Sequence, residues 1–155
     1  MTEAWRRDRR PRVGALGTGW IGRHRLEVLA AADLVDIVAV ADASQDAVRE
    51  AIAVAPHANA CNSLEALLAH DLDGLVIATP TAQHAEQVLT SLRAGLAVSC
   101  QKPLARSARE AQVVVDAARD ADRLLMIDFS YRYTAAAQAL RREIAADAFG
   151  RLVAA

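Results

Sequence analysis

The stretch GTGWIGRHR, residues 17–25, carries three glycines at the spacing G-x-G-x-x-G directly after an apolar run. In a strand–turn–helix unit, such glycines permit a tight turn at Gly17, close approach of a phosphate at Gly19 and close helix packing at Gly22. The amides and the positive end of a helix that begins near Trp20 then face an anion. The spacing predicts a pyrophosphate site, and a plain strand-to-helix turn is the alternative for the glycines taken alone.

A carboxylate stands at the end of the next apolar run. Asp42 follows Gly22 by 20 residues, and a carboxylate at this place accepts hydrogen bonds from both hydroxyls of an adenosine ribose and repels a 2′-phosphate. The alternative is that Asp42 caps a helix beside Ser44. The combined pattern predicts a dinucleotide cofactor, NAD rather than NADP. Its phosphates are expected at the loop residues Gly17, Thr18, Gly19, Trp20, Ile21 and Gly22.

The candidate for proton transfer is Lys102, in the segment Cys100-Gln101-Lys102-Pro103. Pro103 restricts the preceding residue to extended geometry, which places Lys102 at a strand end. It is the single lysine among 18 basic residues. An arginine keeps its proton near neutral pH, whereas a lysine in a desolvated site beside a cationic nicotinamide can exchange one. This favours a catalytic role, and a surface lysine in an arginine-rich protein is the alternative.

Further polar groups follow the apolar run 73–79. Pro80 ends this strand, and Thr81 is expected to cap the next helix, leaving hydroxyl and backbone groups directed at the crevice. His84 falls in the first turn of that helix, where it either faces a ligand or is a partly exposed helix residue. We expect Thr79, Pro80, Thr81 and His84 to line the nicotinamide end of the cofactor.

Alternating strands and helices position these groups. Strands are predicted at 12–16, 35–41, 57–61, 73–79, 96–101 and 124–129. Helices are predicted at 20–32, 44–54, 63–68, 82–94, 107–122 and 134–148. The alternation favours an α/β fold with a doubly wound parallel sheet and helices on both faces. Ligands of such folds bind at the carboxyl ends of the strands, where all the candidate residues lie.

The amino-acid composition limits the classes of protein to which this sequence can belong. The 155 residues suffice for one core, and 54% hydrophobic and 24% charged residues with a net charge of −1 indicate a soluble globular protein. Residues 1–11 are expected to be a flexible basic leader, with contact to polyanions as the alternative, and the acidic remainder argues against nucleic-acid binding. No apolar stretch reaches the roughly 20 residues of a membrane span. Because Cys61 and Cys100 match no metal or disulfide spacing, we expect a cytoplasmic, metal-free protein.

The ordered motifs resemble the N-terminal part of the Gfo/Idh/MocA oxidoreductases, the group of glucose-fructose oxidoreductase and inositol dehydrogenase. The matching segments are 14–22, 40–42, 78–81 with His84, 101–103 and 129–133. The resemblance implies a Rossmann-type dinucleotide-binding domain over residues 12–133. It implies hydride transfer between NAD(P) and a secondary alcohol of a sugar or polyol, with Lys102 as acid/base and Gln101 at the nicotinamide ribose. The resemblance also places Tyr131 and Arg132 at the substrate. The alternative for Tyr131 is packing between domains, and the alternative for Arg132 is pairing with a carboxylate.

Three positions depart from the pattern that the resemblance implies. Gln101 stands where the family has a glutamate, Arg25 where a histidine is common and Asp128 where a glycine is more frequent. Gln101 keeps hydrogen-bonding capacity without a charge, which leaves open how the ribose and Lys102 are held.

Family members carry a second α/β domain that covers the nicotinamide and binds the substrate. Residues 134–155, a helix and a short apolar run, are expected to be only the start of that domain, which would also provide a surface for homo-oligomers. The chain is then either part of a longer enzyme or needs a partner chain. Two alternatives remain: a non-catalytic nucleotide-binding or redox-sensing module, and a related reductase acting on an imine or tetrapyrrole.

Overall fold

A computed structural model describes residues 9–151. It contains one parallel sheet of six strands: β1 (Arg12–Leu16), β2 (Asp36–Ala41), β3 (Asn59–Cys61), β4 (Gly74–Ile77), β5 (Ala97–Gln101) and β6 (Leu125–Asp128). The helices are α1 (Trp20–Ala32), α2 (Gln45–Val54), α3 (Leu64–Leu68), α4 (Thr81–Arg93), α5 (Ala108–Asp120) and α6 (Ala135–Ala145), with a short 3-10 helix at Ser130–Tyr133.

The strand order β3-β2-β1-β4-β5-β6 creates the place where a ligand can enter. The chain builds outward from β1 to β3 and then returns to the other side of β1 to build β4 to β6. The last residue of β1, Leu16, pairs with Ala41 on one side and with Ile77 on the other. The loops after β1 and β4 therefore diverge to opposite faces and leave a crevice between them. This order confirms the predicted Rossmann-type doubly wound fold.

Apolar side chains fill both faces of the sheet, because successive residues of a strand point to opposite sides. On one face, Ala15 and Val40 pack with Leu26 of α1 and Val48 of α2. The other face carries a larger cluster, in which α3, α4 and α5 cover the sheet: Leu16, Ala39, Ala41, Leu67, Leu72, Leu75, Ile77, Val88, Leu92, Leu96, Val98, Cys100, Val114 and Ala118. Burial of these residues fixes the sheet whose carboxyl edge carries the candidate site.

Several elements are shorter than the sequence predicts, because turns compete for their ends. The predicted strand 73–79 stops at Ile77, where the chain bends toward α4. The strand predicted at 57–61 covers only Asn59–Cys61, since Ala58 closes a turn by donating to the Ala55 carbonyl. Helix α1 coincides with its predicted bounds.

The two ends of the described region behave differently. Arg9 and Arg10, expected within a solvated leader, form ion pairs with Asp73 and Asp33, whereas residues 1–8 of that leader lie outside the described residues. After β6, α6 has no buried residue. Of the predicted run 150–155, residues 152–155 also lie outside the described residues.

Within residues 9–151, none of the helices combines the length and hydropathy needed to cross a bilayer.

Candidate active site

The glycine loop is held by close main-chain packing. Gly17 has φ +83°, and a Cβ there would lie 2.6 Å from the Ala78 carbonyl carbon and the Thr79 nitrogen. A Cβ at Gly22 would overlap the Gly17 carbonyl oxygen, so helix α1 can approach β1 only with glycine at this place. At Gly19, no atom of the described residues beyond its chain neighbours lies within 4 Å of a Cβ. The loop is thus packed tightly at two glycines and open to solvent at the third.

The first turn of α1 offers free amides to this opening. Serine or threonine side chains cap α2, α3, α5 and α6, whereas Gly19 at the start of α1 provides no side-chain cap. The leading N–H groups of a helix have no intrahelical acceptor and carry partial positive charge. Thr18 adds a buried hydroxyl without a hydrogen-bond partner among the described residues. Trp20, 75% exposed, flanks the same opening.

Asp42 joins the glycine loop to the loop after β2. Its Oδ2 accepts the Thr18 N–H at 2.6 Å, and its Oδ1 accepts the Ser44 N–H at 2.8 Å. The cap of α2 is Ser44 itself, whose hydroxyl accepts the Ala47 N–H at 3.4 Å. Arg49, the nearest downstream cation, pairs with Asp46. The Asp42 carboxylate is therefore fixed beside the glycine loop.

His84 is buried, which corrects the expectation of a partly exposed helix residue. The expected contact of His84 with the cofactor stays a prediction. His84 is 1% exposed, and its ring nitrogens lie 2.7 Å from the Thr79 carbonyl oxygen and 2.8 Å from the Pro103 carbonyl oxygen. The ring N–H of His84 donates to one of these two carbonyl oxygens, and the ring lies between the loop after β4 and the loop that carries Lys102.

The loop after β4 also differs from its predicted hydrogen bonding. Thr81 is the first residue of α4 rather than its cap, and Pro80 precedes the helix without a side-chain cap. The Thr79 hydroxyl donates to Gln87 Oε1 at 2.5 Å, so it faces α4 and not the crevice. What remains at the crevice from this loop is main chain and the exposed Pro80 ring.

Lys102 follows β5 directly and is exposed on the carboxyl edge of the sheet. Its N–H donates to Gln101 Oε1 at 3.0 Å, and the Lys102–Pro103 peptide bond is cis. The strand order puts β5 next to β4, on the far side of β4 from β1. Lys102 and the glycine loop therefore share one edge of the sheet, as the sequence predicts.

The three unusual residues noted in the sequence belong to one cluster. Arg25 Nε donates to Asp128 Oδ2 at 2.5 Å, and Gln101 Nε2 donates to the same oxygen at 2.9 Å. We define Arg25, Gln101 and Asp128 as the β5–β6 network. Each residue was singled out separately from the sequence, but their contact was missed because Arg25 and Asp128 are 103 positions apart.

Tyr131 and Arg132 lie in the 3-10 helix after β6. Tyr131 is 84% exposed. The Arg132 guanidinium lies over the Phe129 ring, 6.0 Å from its centroid, rather than against a carboxylate. Arg25 Nη2 donates to Ser130 Oγ at 3.4 Å, which ties the start of this helix to α1. Both predicted substrate residues are thus exposed beside the β5–β6 network.

Cys100 is next to this edge but is not a nucleophile. Its side chain is fully buried in the core, and burial raises the pKa of the Cys100 thiol to about 12. Since the thiolate is the reactive form, Cys100 is inert at neutral pH. Burial also raises the pKa of the Cys61 thiol.

Comparison with known proteins identifies the family to which the chain belongs. Residues 11–129 match the family model described as "Oxidoreductase family, NAD-binding Rossmann fold", GFO_IDH_MocA. The chain belongs to the Gfo/Idh/MocA oxidoreductase family. This confirms the resemblance seen in the motifs, and the matched region contains the glycine loop, Asp42, Lys102 and the β5–β6 network.

Similar Gfo/Idh/MocA proteins include dehydrogenases of polyols and sugars. The chain is 35% identical over 135 residues to inositol 2-dehydrogenase of Rhizobium meliloti, covering 86% of this chain and 40% of that protein. It is 42% identical over 124 residues to D-xylose 1-dehydrogenase (NADP(+)) 2 of Haloferax volcanii, covering 77% and 37%. The WlbA dehydrogenase of Chromobacterium violaceum, solved with NADH and UDP-GlcNAcA, superposes with a TM-score of 0.87 at 29% identity, covering 94% and 42%. The chain thus spans about two fifths of these relatives.

The residues at the crevice fit the dinucleotide that the family implies. The Gly22 packing leaves α1 close to β1, the opening at Gly19 admits a phosphate, and the buried Thr18 hydroxyl is without a partner in the described region. The Asp42 carboxylate lies at the end of β2, where a carboxylate would hold the adenosine ribose and oppose a 2′-phosphate. The domain is an NAD-binding Rossmann domain.

Proposed function

We propose that this chain provides the cofactor half of an NAD-dependent dehydrogenase that oxidises a secondary alcohol of a sugar or polyol, with Lys102 as its acid/base. The observation that carries the proposal is the placement of Lys102, the single lysine of the chain, on the same sheet edge as the glycine loop and Asp42. The polyol and sugar dehydrogenases among the relatives support the substrate class.

Each part of the crevice has a separate task in this proposal. The amides of Gly17, Thr18, Gly19, Trp20, Ile21 and Gly22 hold the pyrophosphate, and Asp42 holds the adenosine ribose. The main chain of Thr79, Pro80 and Thr81 borders the nicotinamide end, and His84 braces it through the Thr79 carbonyl. Bound NAD supplies a hydride acceptor.

Proton transfer is assigned to the Lys102 amine. Nζ accepts the hydroxyl proton of the substrate during oxidation and returns it during reduction. Lys102 is exposed and not desolvated in the described residues. In this proposal the bound nicotinamide and the substrate-binding part supply the desolvation and the positive charge that let Nζ give up its proton. Gln101 holds the main chain at Lys102 and contributes to the nicotinamide ribose. Tyr131 and Arg132 border the substrate.

Substitution of Lys102 tests this assignment. In protein that includes its substrate-binding part, Lys102→Ala and Lys102→Arg are each expected to lower kcat by about 10²–10⁴-fold, the usual contribution of general acid–base catalysis. Arginine fails because it keeps its proton. Polyol-dependent NADH formation measures turnover, and calorimetry measures NADH affinity, which should stay within about threefold of wild type.

Arg106→Ala is the matched control, because it removes a neighbouring exposed cation that pairs with Glu110. This variant should retain turnover. Full activity of Lys102→Arg would overturn the acid/base assignment, while binding of NADH without any alcohol-dependent reduction in the wild type would favour the non-catalytic module.

We also propose that residues 134–155 belong to the substrate-binding part, as expected from the sequence. Leu140 and Ile144 of α6 are exposed, and α6 packs none of its residues into the Rossmann core. Replacing both by glutamate is expected to leave the NADH affinity of the 155-residue chain unchanged. In protein that includes the substrate-binding part, the same change should lower turnover; unchanged turnover would overturn this placement.

A further inference from the structure

The β5–β6 network follows from the register of two neighbouring strands. Gln101 and Asp128 are partners in the parallel pairing of β5 with β6. Partner residues of adjacent strands project from the same face of a sheet, so the two side chains meet. Arg25 reaches them from α1. The Asp128 side chain is 13% exposed and that of Arg25 27%, so the ion pair is largely withdrawn from solvent.

Asp128 determines which way the Gln101 amide faces. An ionised carboxylate only accepts hydrogen bonds, so Gln101 must direct Nε2 toward Asp128 Oδ2. The same orientation directs Oε1 toward the Lys102 N–H. If the amide were rotated by half a turn, two acceptors would meet at Asp128 and two donors would meet at Lys102. Both contacts therefore specify a single orientation.

Among residues 9–151, this orientation leaves one N–H of Gln101 without an acceptor. The Gln101 amide nitrogen carries two hydrogens, of which Asp128 accepts one. Gln101 lies at the carboxyl end of β5, on the sheet edge shared with the glycine loop. The second N–H is therefore available to an acceptor such as a hydroxyl oxygen of a bound dinucleotide.

We propose that Asp128, held by Arg25, is a positioning residue that fixes the Gln101 amide so that its free N–H binds the dinucleotide and its oxygen holds the Lys102 main chain. This inference rests on the proposed function for the presence of the cofactor. Asp128 and Arg25 themselves act through Gln101.

The network accommodates one negative charge. Gln101 Nε2 is 2.9 Å from Asp128 Oδ2, so Gln101→Glu would place a second carboxylate in contact with the first, and one arginine would face two anions. Exchanging the two groups, as Gln101→Glu with Asp128→Asn, restores one carboxylate and one amide. The exchange keeps the size of both side chains and the net charge.

NADH binding to the 155-residue chain tests the proposal. Asp128→Asn and Gln101→Glu are each expected to raise the NADH Kd about tenfold, equivalent to loss of roughly one well-placed hydrogen bond. The double variant removes the contact between two carboxylates but still has no N–H on the side chain at position 101. Its NADH Kd is therefore expected to stay about tenfold above wild type, while its melting temperature returns to the wild-type value. Calorimetry gives the Kd, and a thermal melt of each variant separates a binding defect from a folding defect.

A second glutamine–aspartate pair provides a matched control. On the exposed side of α5, Gln112 Nε2 donates to Asp116 Oδ1 at 2.9 Å, the same length as in the network. Gln112→Glu, Asp116→Asn and their combination should leave NADH affinity unchanged.

Two outcomes would overturn the inference: wild-type affinity in Gln101→Glu or in Asp128→Asn, or a double variant that regains wild-type affinity. If the network had a role in folding alone, NADH affinity would follow the melting temperature and both would recover in the double variant, which also counts against the inference. If the wild-type chain itself failed to bind NADH, the proposed function would fail instead, so the two failures are distinguishable.

Discussion

The two halves of the crevice are built by different means. Around β1 and β2, main-chain contacts form the site: Gly22 lets α1 touch the Gly17 carbonyl, and Asp42 accepts two backbone N–H groups. Around β5 and β6, side chains from distant parts of the chain form it, through His84 and the β5–β6 network.

The two halves therefore differ in the substitutions that they tolerate. A site formed by closely packed main chain has no room for side-chain atoms. A single added methyl group is therefore strongly destabilising. A side-chain network can be rebuilt by exchanging its members, because an amide and a carboxylate of similar size can trade places. We therefore expect the half around β1 and β2 to be intolerant of change. The half around β5 and β6, which carries Lys102 and which we call the lysine half, should keep its stability when two changes compensate each other.

The largest effect is expected at Gly22. In Gly22→Ala, the added methyl group would overlap the Gly17 carbonyl oxygen, so α1 must move away from β1. We expect destabilisation of more than about 3 kcal/mol, at the upper end for overpacked sites. Urea unfolding monitored by circular dichroism measures it, and NADH binding should be lost as well.

Gly19→Ala is the matched control for the same loop. No atom of the described residues beyond its chain neighbours lies within 4 Å of its Cβ, and Gly19 has φ −59°, which alanine adopts readily. Stability should change by less than about 0.5 kcal/mol, while NADH affinity falls because the methyl group faces the phosphate side. Equal stability loss in both variants would contradict the distinction between a packed and an open glycine.

His84 tests the bracing of the lysine half. His84→Ala leaves the Thr79 and Pro103 carbonyls without their ring partner and creates a cavity, for an expected loss of about 2–3 kcal/mol. NADH affinity should fall with it, since we propose that both loops border the nicotinamide end. His24→Ala, at an exposed histidine beside Glu27, should change stability little. Thermal unfolding and calorimetry give both quantities, and a stable His84→Ala would remove the bracing role.

The sequence predicts the first half of the site more completely than the second. The glycine spacing and Asp42 are local signals, because their function depends on a turn and on the end of the next strand. Their contacts in the structure agree with the predicted geometry. The alternation of apolar runs likewise predicts the sheet, although turns at residues such as Ala58 shorten individual strands.

The second half could not be derived in the same way. The Gln101–Asp128 contact depends on the register of β5 against β6, and apolar patterning does not specify a parallel register between two strands joined by a helix. The burial of His84 depends on the path of the loop at Lys102–Pro103, which the helical periodicity of α4 does not reveal. The sequence singles out the residues of this region, but it does not specify the long-range contacts between them.

The smallest effect is expected at Asp42, where charge and not packing is changed. In Asp42→Asn, the side-chain oxygen can still accept one backbone N–H, but the amide nitrogen cannot accept the other. We expect NADH binding to weaken by roughly 1–2 kcal/mol and NADPH binding to improve relative to it, because the charge that repels a 2′-phosphate is gone. Titration with both cofactors measures the ratio of their Kd values. Asp71→Asn, at an exposed carboxylate that pairs with Arg12 ahead of β4, is the charge-matched control. If the ratio of the NADH and NADPH Kd values were unchanged in Asp42→Asn, the backbone of the glycine loop, and not this carboxylate, would select the cofactor.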